Sequence, residues 1–221
     1  RDILFSACSW GADGTPEWIK STGAHMWRST GDISDSWESI KNISIKQAEI
    51  VQHAGNGCFN DMDMLVVGMN GVGHVGLTGC TFTEYRLHFS LWALLSSPLI
   101  IGCDIRNMTD ETRKILMNEK VISINQDPAS RQPFMVNSNP NCPIWVRMLD
   151  NGDLAVGLFN FTDNDVRFHF SLTDIGIDRT TKMKLEFHNL WEDEVFESRD
   201  IVCRVIPAHD CLLMRAKVKN I

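Results

Sequence analysis

The spacing of hydrophobic and polar positions changes once along the chain, near residue 130. Before that point, short apolar runs alternate with longer stretches that have the spacing of amphipathic helices. The predicted strands are 3–6, 26–29, 58–60 and 99–103, and the predicted helices are 35–54, 83–95 and 110–118. Strands that alternate with helices pair in parallel, because a parallel connection needs a long crossover.

Four parallel strands do not close a barrel, but they are half of the eight strands of a TIM barrel. The chain opens on an apparent strand, without a starting Met or a signal peptide. We therefore expect a fragment in which residues 1–130 form the C-terminal half of a (β/α)8 barrel. In such a barrel, chemistry is located where strands end and βα loops begin.

After residue 130 the apolar runs are short, β-rich and separated by turns. The predicted strands are 144–148, 154–160, 166–170, 183–188, 195–196, 201–206 and 211–215. Asn151-Gly152 is a strong hairpin signal. We predict that residues 131–221 form an antiparallel β-sandwich, so that the fold class is α/β plus all-β. The segment 125–133 has the Pro and polar content of a domain boundary.

Composition narrows the possible partners. A formal net charge of −7 argues against nucleic acid as a partner. The apolar run 91–102 is interrupted and far shorter than the roughly 20 residues that span a bilayer, so no membrane segment is predicted.

The seven cysteines lack a CxxC pair, so no metal or cofactor is predicted. Free thiols favour a cytoplasmic location over a secreted one, although a disulfide partner outside the chain would also explain the odd number. Homo-oligomerisation of the full-length protein stays open.

Acidic residues cluster after two of the predicted strands. Arg28, Asp32 and Asp35 follow one strand, and Asp61 and Asp63 follow the next. Paired carboxylates from different strands suit glycoside hydrolysis, in which one protonates the leaving oxygen and the other attacks or activates water. Asp32 or, better, Asp35 could instead cap the following helix, and the later pair could be loop acids or metal ligands. The residues alone leave these alternatives open.

Six motifs occur in order along residues 1–128. They are RDILFSACSWG at 1–11, WRSTGDI at 27–33, NDMDML at 60–65, EYR at 84–86, HFSLWA at 88–93 and NQDP at 125–128. Together they resemble the melibiase family of glycoside hydrolases, which contains α-galactosidases and α-N-acetylgalactosaminidases. The resemblance implies a TIM barrel, an antiparallel β-domain and hydrolysis with retention through a covalent glycosyl-enzyme intermediate.

The resemblance also implies roles for individual residues. Asp32 matches the acid/base, Arg28 matches a residue that binds the sugar near its 2-position, and Asp63 matches an acceptor for sugar hydroxyls. Trp10 and Met64 match residues that line the pocket. The family's nucleophile is an Asp in a Lys-x-Asp motif on the preceding strand, which residues 1–221 lack. We therefore expect residues 1–221 alone to be inactive, and a non-catalytic carbohydrate-binding remnant is the rival hypothesis.

Two small residues bear on specificity. Ser9 stands where many α-galactosidases carry Glu, and Ala12 stands where a bulkier residue can occur. In animal relatives a small pair at these positions accompanies acceptance of a 2-acetamido group, because the space is left free. An α-N-acetylgalactosaminide is therefore the alternative to the α-galactoside that we favour as substrate.

Two further features are interpreted as structural. His25, His53, His74 and His88 lack metal-ligand spacing, and His88 is predicted to pack within a helix. The glycine-rich run 68–79 lacks a phosphate-loop pattern and is predicted to be a long βα loop beside the active site.

Overall fold

The computed structural model describes residues 1–177 and 180–220. Its first part contains three short parallel strands that lie side by side: β1 (Ser6–Cys8), β2 (Met26–Arg28) and β3 (Phe59–Asp61). In the register of the sheet, Arg28 is aligned with Cys8 on one side and with Asp61 on the other. All three strands therefore end at one edge, and the residues that follow them meet there.

Helices connect and follow these strands. They are α1 (Thr15–Trp18), α2 (Trp37–Ala48), α3 (Phe82–Leu94), α4 (Asp110–Leu116) and α5 (Glu119–Asn125). Helix α2 is shorter than the predicted helix 35–54. The Ser36 hydroxyl accepts the Ser39 backbone N–H and caps the helix, which therefore begins two residues later, at Trp37. Residues Val51–His53 form a separate 3-10 turn. Helix α3 begins with a capping box between Thr81 and Glu84, and α5 is an element that the pattern did not predict.

Two of the predicted strands differ from the structure. Residues 3–5 form no strand, since pairing starts where the Phe5 carbonyl accepts the His25 N–H at 2.9 Å; β1 is therefore displaced toward the C-terminus. The predicted strand 99–103 is reduced to a single parallel bridge between Leu65 and Ile101. The segment that faces it bends away from the ladder directly after β3, where Asp63 has φ 82°.

The second part is all β. Its strands are β4 (Phe134–Met135), β5 (Ile144–Met148), β6 (Leu154–Phe159), β7 (Val166–Ser171), β8 (Met183–Asn189), β9 (Val195–Ser198), β10 (Ile201–Ile206) and β11 (Cys211–Asn220). Six of them form an antiparallel sheet in the order β4-β5-β6-β11-β8-β9, and β7 pairs with β10. Side chains from both sheets, including Val156, Phe170, Phe187 and Val202, share one buried core. The sandwich arrangement follows from this shared core.

The two parts pack against each other through α3. Phe89 of this helix meets Trp191 of the β-rich part edge to face, with ring centroids 6.4 Å apart. At the edge of the contact, the Arg86 guanidinium donates to both carboxylate oxygens of Asp210 at 2.7 and 2.6 Å. Over the described ranges 1–177 and 180–220, none of the helices has the length and apolar character needed to cross a membrane.

Candidate active site

One guanidinium joins two carboxylates at the carboxyl edge of the parallel sheet. Arg28, the last residue of β2, donates from Nη2 to Asp32 Oδ1 at 2.9 Å and to Asp63 Oδ2 at 2.7 Å. The Asp32 side chain is 68% exposed, whereas that of Asp63 is 14% exposed. The cluster therefore has one carboxylate open to solvent and one fixed carboxylate, and both share a permanent positive charge.

Asp63 is the most strongly held member of the cluster. Its backbone has φ 82°, in the left-handed region that costs a non-glycine residue free energy. Its Oδ2 also accepts the Ile33 N–H at 2.8 Å, and its Oδ1 accepts the Met64 N–H at 2.7 Å. These bonds fix both carboxylate oxygens and, through Ile33, tie Asp63 to the loop that carries Asp32.

The neighbouring Asp61 supports the turn. It is buried, and its Oδ1 accepts the Asp63 N–H at 2.9 Å. Burial raises the pKa of the Asp61 carboxyl, although the Asp63 N–H and the charge of Arg28 act in the opposite direction. Asp61 is therefore a structural partner of Asp63 in this geometry.

Asp35 is not the helix cap that the sequence favoured, because Ser36 caps α2. Its side chain is fully buried, accepts the Gly71 N–H at 2.7 Å and accepts the Tyr85 hydroxyl at 2.9 Å. Asp35 thus ties the glycine-rich loop to helix α3. Asp35, two residues before the helix, is a long-range anchor because its carboxylate binds Gly71 and Tyr85 instead of the helix terminus.

The loop after β1 lies beside Arg28. Gly11 has φ 74°, and a Cβ there would come within 2.6 Å of the Ser29 carbonyl oxygen, so the loop backbone packs directly on the residue after Arg28. Trp10 is 57% exposed, Ala12 is exposed, and the Ser9 hydroxyl is buried without a hydrogen-bond partner among the described residues. No hydrogen bond described in this part of the chain joins these side chains to the Arg28 cluster.

Met64 connects the cluster to the glycine-rich loop. A Cβ on Gly102 would lie 2.8 Å from the Met64 sulfur, so the absence of a side chain at Gly102 makes room for Met64. Met64 and the loop residues Gly68 and His74 line one groove of about 470 Å³. The run 68–79 is an irregular segment that borders Met64, as a βα loop should.

Three buried side chains make hydrogen bonds at this site that the sequence did not predict. His88 packs within α3 as predicted, but its Nε2 also accepts the Val66 N–H at 3.1 Å. The Trp92 indole N–H donates to the Asp63 carbonyl at 2.9 Å, and the Ser97 hydroxyl accepts the Met62 N–H at 3.0 Å. The spacing of His88 and Trp92, four residues apart on one helix, is the only sequence signal that groups any of them.

Comparison with known proteins gives the family of this fold and site. The sequence model of the family described as Alpha galactosidase A matches residues 1–127, which is more than half of the 221 residues. The chain belongs to this family. A second model, the Alpha galactosidase C-terminal beta sandwich domain, matches residues 139–216.

Individual relatives agree with the α-galactosidase family models. An alpha-galactosidase from Cyamopsis tetragonoloba is 40% identical over 87% of this chain and 44% of its own length. Alpha-galactosidase A from Cellvibrio japonicus is 36% identical over 97% of this chain and 55% of its own length. The solved structure of alpha-galactosidase I from Mortierella vinacea is similar with a TM-score of 0.87 and 28% identity, covering 98% of this chain and 58% of that chain.

The chain therefore spans about half the length of the relatives it matches. The family matches confirm the predicted fold class, a part of a TIM barrel followed by a β-sandwich. The domain limits 1–130 and 131–221 stay predictions. The roles of Asp32, Arg28, Asp63 and the pocket residues stay predictions as well.

Proposed function

We propose that the natural polypeptide containing residues 1–221 removes terminal α-linked galactose from oligosaccharides or glycoconjugates with retention of configuration. The observation that carries the proposal is the single Arg28 Nη2, which bonds both Asp32 and Asp63 at the carboxyl edge of the strands. That edge is the catalytic face of a TIM barrel. Membership of the α-galactosidase family supports the substrate class.

Asp32 is proposed as the acid/base. It protonates the glycosidic oxygen as the bond to the aglycone breaks, and it later takes a proton from the water that releases the sugar. Its exposed carboxylate can reach a leaving group, whereas the largely buried, doubly fixed carboxylate of Asp63 suits the binding of sugar hydroxyls. Arg28 orients both groups and is proposed to contact the sugar near its 2-position.

The nucleophile is proposed to lie outside residues 1–221, in the Lys-x-Asp motif that the family resemblance implies. Retaining enzymes place the two catalytic carboxyl groups about 5–5.5 Å apart. A polypeptide of residues 1–221 alone should therefore not turn over an aryl α-galactoside, and the natural polypeptide should. Robust hydrolysis by residues 1–221 alone would contradict this assignment.

The role of Asp32 is tested by Asp32→Asn in the natural polypeptide. A missing general acid should slow hydrolysis of a disaccharide by about 10²–10⁴-fold. The first step with an activated dinitrophenyl galactoside, departure of the dinitrophenolate, should be slowed far less, because this leaving group needs no proton. Azide should restore turnover of the activated substrate, because it needs no general base. Asp110→Asn is the matched control, since Asp110 is 89% exposed on α4. An equal loss of activity toward both substrates, without rescue by azide, would contradict the acid/base role of Asp32.

The second candidate function is hydrolysis of α-N-acetylgalactosaminides. Ser9 and Ala12 favour it, because both side chains are small and the Gly11 contact holds their loop beside Arg28. The paired nitrophenyl α-galactoside and α-N-acetylgalactosaminide differ only in the 2-substituent, so their kcat/KM ratio decides between the candidates. If the second is correct, Ser9→Glu should lower turnover of the acetamido substrate at least about tenfold and spare the galactoside, since a longer side chain fills the space.

A further inference from the structure

The segment 62–66 carries two proposed substrate-binding residues but has little support from the sheet. Strand β3 ends at Asp61, and Asp63 turns the chain away with φ 82°. Only Leu65 regains a ladder position, where its N–H donates to the Ile100 carbonyl at 2.7 Å and its carbonyl accepts the Gly102 N–H at 2.9 Å. The other polar backbone groups of this largely buried segment need partners elsewhere.

Side chains from α3 and the turn after it supply three of those partners. Ser97 binds the Met62 N–H, Trp92 binds the Asp63 carbonyl and His88 binds the Val66 N–H, at 3.0, 2.9 and 3.1 Å. His88 and Trp92 are one helical turn apart, and their rings meet edge to face with centroids 4.1 Å apart. The three side chains are fully buried, so their bonding atoms lie away from bulk water.

Trp92 contacts the residue whose geometry is most demanding. A left-handed non-glycine backbone persists only when its surroundings over-determine it. The Trp92 indole fixes the peptide plane after Asp63, and this plane sets the direction of the Asp63 side chain toward Arg28 and Ile33. A phenyl ring at this position would keep part of the packing, yet it would leave the Asp63 carbonyl without its indole donor.

We propose that Trp92 is a positioning residue for Asp63, and that His88 and Ser97 hold the two ends of the same segment. The inference deepens the proposed function, and its effect on catalysis rests on that function. Helix α3 then has two tasks. One face orients the sugar-binding carboxylate, and the other packs against the β-sandwich.

The substitution Trp92→Phe in the natural polypeptide removes the indole N–H together with part of the ring system. A misplaced Asp63 should lower kcat/KM for an aryl α-galactoside about 10- to 100-fold, mainly through KM, because Asp63 binds the sugar. Trp191→Phe is the matched control, since it removes an indole N–H that donates to Ser90 on the same helix at 2.9 Å. Its kcat/KM should change less than about threefold. Equal losses in the two variants would overturn the proposal.

Hydrogen exchange tests the proposal without activity. The Ile33 amide is bonded to Asp63 Oδ2 and the Gly71 amide is bonded to Asp35 Oδ2. Trp92→Phe should accelerate exchange at Ile33 about tenfold and leave Gly71 unchanged, because only the first depends on Asp63. Unchanged exchange at Ile33 would refute the positioning role, whereas an inactive wild-type protein with accelerated Ile33 exchange would refute only the α-galactosidase assignment.

Ser97→Ala serves as the milder second variant if Trp92→Phe does not fold. It removes one hydroxyl acceptor from the Met62 N–H and leaves the indole contact in place. We expect exchange at Ile33 to rise about two- to threefold, since the segment then loses one of its three anchors. No change at Ile33 in this variant would contradict the cooperation of the three side chains.

Discussion

The barrel part and the sandwich part of this chain obtain their geometry in different ways. Strands β1 and β2 pair over three residues, whereas β8 and β11 pair over seven. In the sandwich, repeated backbone bonds set the positions of the side chains. In the barrel part the strands are short, and individual side chains hold the segment that carries Asp63.

The difference shows which part of the chain is sensitive to the loss of a single side chain. A ladder distributes its free energy over many equivalent bonds, so that one side chain seldom decides its shape. The proposed site instead depends on a few buried side-chain contacts, and each can be removed singly. The same substitution should therefore have different consequences in the two parts.

Substitution of two arginines, one in each kind of environment, should give the largest difference between the two parts. Arg28 serves two carboxylates at the proposed site, and Arg86 pairs with Asp210 between the two parts. Arg28→Met should lower kcat/KM of the natural polypeptide for an aryl α-galactoside by roughly 10³-fold, because Asp32 and Asp63 lose the charge that orients them. Steady-state kinetics measure this, and a loss below about tenfold would contradict the proposed role.

Arg86→Met should mainly affect stability. It leaves the Asp210 carboxylate, with 9% of its side chain exposed, without the guanidinium that now binds both oxygens. Urea unfolding should show a free energy of unfolding lower by about 3 kcal/mol, since a buried charge loses its partner. The double variant Arg86→Met/Asp210→Asn should recover more than half of that loss. A double variant as unstable as the single one would refute the unpaired-charge explanation.

The same contrast explains how much of the molecule the sequence could predict. The strand-end rule grouped Arg28, Asp32 and Asp63 correctly, because parallel strands end at a common edge whatever their length. The alternation after residue 130 predicted the sandwich, since ladders follow directly from periodic patterns. These features depend on local composition and on a general rule of the fold.

What the sequence could not predict depends on bonds between distant residues. The role of Asp35 requires Gly71, 36 positions later, and a Ser at position 36 that takes over the cap. Whether residues 99–103 form a strand depends on the bend at Asp63. Trp92 looks like any core tryptophan until its indole N–H is placed against the Asp63 carbonyl, and no periodicity reports the direction of a single N–H.

Two glycines in left-handed conformations, one in each part, allow a comparison of smaller stability effects. Gly68, in the loop near Met64, has φ 80°, and a Cβ there would lie 2.4 Å from the Thr112 methyl. Gly152, in the β5–β6 hairpin, has φ 84° and no atom near the Cβ position. Gly152→Ala should cost about 1 kcal/mol of unfolding free energy from backbone strain alone, and Gly68→Ala about 2–3 kcal/mol because overpacking adds to strain. Equal costs in urea unfolding would disprove the close contact.

The last comparison concerns acid, and it tests the side-chain support of the barrel part directly. Burial lowers the pKa of His88 to about 3, whereas a histidine in the unfolded chain titrates near about 6.5. Between these two values the unfolded chain binds one more proton. The free energy of unfolding should therefore fall as the pH falls from about 6.5 toward 3, by up to about 1.4 kcal/mol per pH unit.

His88→Gln removes this titration and keeps an oxygen that can accept the Val66 N–H. Urea unfolding at several pH values should therefore give a shallower pH dependence for the variant than for the wild type, by about one proton. Protonated His88 could not accept the Val66 N–H, so acid should loosen the segment that carries Asp63 before it affects the ladders of the sandwich. Parallel stability curves for the two proteins would show that His88 is not the group responsible.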